Sequence, residues 1–78
     1  MEEMAKLEKE ARQKAWEMAT DKIKDLLIKL FENQEGGSRW LIYPNWRFKN
    51  GSPVEIIIEG DSARVENVLE IMISDIYD

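Results

Sequence analysis

Residues 49–61 read Lys49-Asn50-Gly51-Ser52-Pro53-Val54-Glu55-Ile56-Ile57-Ile58-Glu59-Gly60-Asp61, and how this stretch is read decides the fold. Residues 54–59 are β-branched with partial apolar–acidic alternation, which predicts a strand. Lys49-Asn50-Gly51 suits a three-residue hairpin loop, a type I turn followed by Gly51 in the left-handed conformation. That loop pairs Phe48 with Ser52, Trp46 with Val54 and Ile42 with Ile58, so aromatic and aliphatic side chains share one face. A two-residue Asn-Gly turn would set Trp46 against Glu55, and register follows the hydrophobic match. The reading is therefore a hairpin over residues 39–59. Trp40, Trp46 and Phe48 face the core, while Leu41, Tyr43 and Ile57 point outward. Arg47 and Lys49 lie on the outer face with Glu55 and Glu59 as cross-strand partners. Pro44 cannot donate to a ladder, so the first arm is expected to bulge at Pro44-Asn45, the alternative being a turn there that divides the arm into two short strands.

Upstream, residues 2–33 contain neither Gly nor Pro and are rich in helix formers, which predicts one helix over 2–34. Such a helix spans roughly 48 Å, against roughly 30–36 Å for the strands that follow. It carries two apolar faces. Trp16, Ala19, Ile23, Leu26 and Leu30, widened by Leu27 and Phe31, form a core face. Met4, Leu7, Ala11, Ala15 and Met18 lie a quarter to a third of a turn away, on the half that overhangs the sheet. Thr20 and Asp21 can both cap a helix, but without a breaker the reading keeps it continuous. Glu35-Gly36-Gly37-Ser38 reads as its end. Downstream, Asp61 reads as the cap of a last helix over 62–77, with Val65, Val68, Leu69, Met72 and Ile76 inward and Ile71 flanking.

The expected architecture is α+β, in the order α-β-β-α, with both helices on one face of a two-stranded sheet. With 78 residues there is room for one domain. A core of that size supplies roughly 3–5 kcal/mol without a staple. The chain has no Cys and no His, which removes disulfides, thiolate metal sites, and the commonest metal ligand and general base. The serines have no activating partner, and no phosphate-binding glycine loop is present. Catalytic, cofactor and metal sites are not expected. No apolar run is long enough to span a membrane, and a cytoplasmic location is the default expectation.

The net charge of −5 is unevenly spread: −2 over residues 1–35, +3 over 36–54 with no acid, and −6 over 55–78. An acidic whole argues against nucleic acid as partner, although Arg39, Trp40, Tyr43, Trp46, Arg47 and Lys49 interleave cations with aromatics. The uncovered strand edge at 54–59 and the overhanging stripe point instead to a homodimer. The expected interface comprises Met4, Leu7, Ala11, Ala15, Met18, Leu41, Tyr43, Ile57 and Ile71.

The α-β-β-α order resembles the middle of a ferredoxin-like domain without its first and last strands. The Glu/Lys-rich helix surfaces, Gly-Gly-Ser end, Lys-Asn-Gly turn and Gly-Asp-Ser helix entry resemble computationally designed α/β mini-proteins. That resemblance implies an assembly or a binding surface rather than an activity. The expectation is a non-catalytic, self-associating protein. The alternative is a small acidic binding module or inhibitor, similar to phage-type inhibitors, that captures another macromolecule through the hairpin edge or the first helix.

Overall fold

Thr20 breaks the long helix. The structure, a computed structural model, describes the backbone of residues 2–77 and the side chains of residues 6–76. Helix α1 runs over Glu2–Met18 and α2 over Asp21–Phe31. Between them Thr20 is extended, and its Oγ1 accepts the Ile23 N–H at 3.1 Å. The same hydroxyl donates to Glu66 Oε2 at 3.4 Å, so the cap also ties the start of α2 to the last helix. The two apolar faces read from the sequence thus belong to two helices.

Glu32 closes α2 in the left-handed conformation, with φ 67°. Asn33 then caps α3, Gln34–Ile42, its Oδ1 accepting the Gly36 N–H at 2.7 Å. The Gly-Gly pair expected to end a helix lies inside one. Its role is steric: a Cβ on Gly37 would sit 2.9 Å from Leu27 Cβ and 3.1 Å from Trp16 Cζ3. Three helices converge there, and no side chain fits between them. Arg12 pairs with Glu35 at 3.5 Å near the start of α3, and Glu8 meets Tyr43 just past its end. Helix α3 therefore runs antiparallel to α1. Pro44 stops it, because the residue before a proline is driven out of the helical region; Tyr43 is extended, with ψ 143°.

The hairpin does not exist. Among the described residues there is no strand; one isolated bridge, Asn45 to Gly51, is all that remains of the pairing. It closes a loop around a single 3-10 turn, Trp46–Phe48. The stretch read as the second strand is helix α4, Pro53–Ile58. Ser52 and Pro53 form its entry, proline being pre-organised for the first helical position. Its exit is a Schellman cap: the Gly60 N–H donates to Ile57 O and the Asp61 N–H to Ile56 O, each at 3.0 Å, with Gly60 at φ 92°. Helix α5 follows over Ser62–Tyr77.

The architecture is all-α, and both the α+β fold and the ferredoxin-like and designed α/β resemblances fall with the hairpin. The strand alternation also misplaced side chains. Leu41 and Ile57, read as outward, are buried, whereas Trp46 and Ile58, read as inward, are exposed. A period of two sends residues 56 and 57 to opposite faces; a helix turn buries both. The core joins Ala15, Ala19, Ile23, Leu27, Leu41, Phe48, Ile56, Ile57, Val65 and Leu69, drawn from every element. No helix among the described residues is long and apolar enough to cross a membrane.

Replacing Thr20 with Ala removes the cap and the Glu66 contact together. The expected loss is about 1 kcal/mol of unfolding free energy in urea titration. An unchanged or raised stability would mean the chain prefers a continuous helix through 18–21.

Candidate interaction surface

The segment 43–51 presents the largest exposed aromatic of the chain on a closed loop. Asn45 organises it: its N–H donates to Gly51 O at 3.0 Å, its carbonyl accepts from Phe48 and Asn50, and its Oδ1 accepts the Arg47 N–H at 3.0 Å. Lys49 and Asn50 are both left-handed, at φ 56° and 69°, a conformation that asparagine tolerates better than most residues. Phe48 is driven inward, edge-on to Trp40 with ring centroids 6.1 Å apart. Trp46 is left outside at 74% exposure. The Arg47 guanidinium stands over its ring, 4.4 Å from the centroid, in a cation–π contact. Arg64, from the first turn of α5, stands 5.6 Å from the centroid of Phe48. The loop and the start of α5 are therefore neighbours.

Tyr43 lies at the mouth of this loop. Its hydroxyl donates to Glu8 Oε1 at 2.6 Å, which holds the end of α3 against α1. That hydrogen bond, followed by partial burial, raises the phenol above its usual ionisation range. Between α2 and α5 Lys22 reaches Glu70 at 2.7 Å and Glu66 at 3.8 Å. The hydrogen bond to Glu70 holds the ammonium above the usual lysine range.

Two clefts open to solvent flank these contacts, each of about 510 Å³. One lies between α1 and α3, lined by Lys9, Arg12, Gln13, Gln34, Glu35 and Ser38. Its only hydroxyl, Ser38, donates to the carbonyls of Gln34 and Glu35 within its own helix. The other, between α2 and α5, holds the Lys22–Glu70 pair. No cluster of three or more metal-ligating side chains occurs among the described residues.

The nine residues expected at an interface divide. Leu7, Ala11, Met18, Tyr43 and Ile71 are exposed; Ala15, Leu41 and Ile57 are buried in the chain's own core. The Met4 side chain lies outside the described residues. Helix α1 still outreaches its neighbour, with 17 residues against 9 in α3, so a shortened overhang remains. Sequence reasoning placed Trp46 in the core and so missed the most exposed aromatic among the described residues; the signal for it was Pro44, two residues before it, which ends α3.

No protein-family model, curated protein or solved structure matches the chain.

In a Tyr77→Phe background, the Tyr43 phenol followed by absorbance should titrate above the ordinary tyrosine range, and Glu8→Gln should bring it back down. The neutral phenol is the donor, so the α1–α3 link is intact below the unfolded tyrosine pKa and is lost as pH rises through the raised folded value. A titration insensitive to residue 8 would remove the contact.

Proposed function

We propose that the chain is a non-catalytic protein that acts by associating with a second copy of itself. The observation that carries this reading is Trp46, displayed at 74% exposure on a loop closed by its own hydrogen bonds. Burying such a ring is worth on the order of 3 kcal/mol by area, which is comparable to what the whole core of so small a domain supplies. Met18, Tyr43 and Ile71 add further exposed apolar surface. Trp, Tyr and Arg are also the residues most enriched where binding energy concentrates. Association through a completed sheet is withdrawn, since there is no strand edge to complete; helix and loop surfaces take its place.

Sedimentation equilibrium from low micromolar to several hundred micromolar should show a reversible monomer–dimer equilibrium. The melting temperature should rise with concentration across the same range, by mass action. A folded monomer at every concentration would contradict the reading.

A further inference from the structure

Charge and apolar groups are arranged along one face in a way that says how two copies meet. On the outer side of α5, Arg64, Asn67, Ile71 and Asp75 follow at spacings of three and four and are all exposed, so they form one row. Arg64 begins the row beside the loop, through its contact with Phe48. The loop end of this face is basic: Arg47, Lys49 and Arg64, with Trp46 as the apolar group. Further along, Glu70 and Asp75 are the charges on either side of Ile71, which is 53% exposed; Lys22 of α2 already pairs with Glu70, so Asp75 is the uncompensated charge, and α5 carries no cation beyond Arg64. From Arg64 to Asp75 the row covers roughly 16 Å at helical rise. The row itself is positive at Arg64 and negative at Asp75, with Trp46 near the first and Ile71 near the second as the large apolar side chains, while Lys22 offsets Glu66 and Glu70 on the flank.

Such a face is complementary to itself when turned end for end. A two-fold axis across its middle sets residue i of one copy on j of the other and j on i. Resting on the self-association proposed above, we infer that the partner of the Trp46 loop is the Ile71–Asp75 stretch of a second copy. Trp46 covers Ile71 of the other chain, and Arg47 and Lys49 meet its Asp75. Both contacts form twice and close a dimer. Helix α1 offers no equivalent, because charges of both signs are interspersed along it: Glu8, Lys9, Glu10, Arg12, Lys14, Glu17. An apolar row there has nothing to set its direction.

The test is a charge exchange between copies. Arg47→Glu and Asp75→Arg are made separately, each checked for helical content by circular dichroism. Asp75→Arg also places a cation in the last turn of α5, which favours the helix. Each variant alone should dimerise at least tenfold more weakly than the unaltered chain, because two like-charge contacts replace two attractive ones. Mixed in equal amounts they should form a heterodimer of near-original affinity, since one contact is reversed and the other unaltered. Trp46→Ala should weaken association at least tenfold, and Leu7→Glu should leave it unchanged.

If the unaltered chain dimerises but neither charge variant weakens it, or mixing restores nothing, the face is wrong while self-association stands. Dissociation by Leu7→Glu alone would give the interface to α1 and overturn the proposal in the same way. A folded monomer at all concentrations would remove both. A monomer that binds an oligothymidylate through Trp46 would assign the loop to single-stranded nucleic acid and overturn the proposal as well.

Discussion

At Gly37 the backbone of α3 passes so close to Leu27 and Trp16 that a single methyl group would have to displace one of them. The rest of the structure depends on that crossing. Leu27 is itself fully buried, and its Cβ, fixed to the backbone of α2, cannot swing away. Close approach at this point lets α3 lie along both α1 and α2. It brings Glu35 to Arg12 and Tyr43 to Glu8, and it sets where Pro44 ends α3. The loop that shows Trp46 to solvent begins where this crossing leaves it.

Helices α2, α3 and α4, with 11, 9 and 6 residues, are too short to be stable alone, since isolated helices shorter than about 12–15 residues are marginal in water. Their stability comes from burial of Ile23, Leu27, Leu41, Val65 and Leu69 against one another, and from ends that satisfy their own backbone groups. Thr20, Asn33 and Asn45 each accept an N–H at an entry, and Gly60 closes α4. A chain built from short capped pieces around a small core has little stability to spare. Burying the Trp46 face against a second copy would then add to folding as well as to assembly, which joins the proposed function to the fold.

The sequence was legible where a pattern ran long enough to have one period. The apolar spacing of 62–77 reads directly as a helix. The two apolar faces of residues 4–31 marked the change of direction near Met18, but the missing Gly or Pro hid the break, because Thr20 makes it with a side-chain cap. The β-branched run at 54–59 misled for a physical reason. Six residues are too few to separate a period of 2 from 3.6, and tertiary burial overrides the strand preference of three isoleucines. The deciding signal was at the edges, in Ser52-Pro53 at the entry and Gly60 at the exit. Gly36-Gly37 misled in the opposite sense, since glycine serves close approach as readily as it serves a helix end. Of the exposed apolar side chains, Leu7, Tyr43 and Ile71 were found by their apolar character on polar faces. Trp46 was lost because a strand register assigned it a partner that it does not have.

The stability of Gly37→Ala tests this account most directly. Helix propensity alone would raise stability by about 1 kcal/mol, because alanine is the better helix former. Crowding against Leu27 Cβ and Trp16 should cost about 1–3 kcal/mol in a well-packed core and outweigh it. The account predicts a lower unfolding free energy in urea, with weakened packing of Trp16 reported by its fluorescence in a variant lacking the other two tryptophans. A stabilised Gly37→Ala protein would contradict it, and would mean that α3 does not cross α2 at this residue.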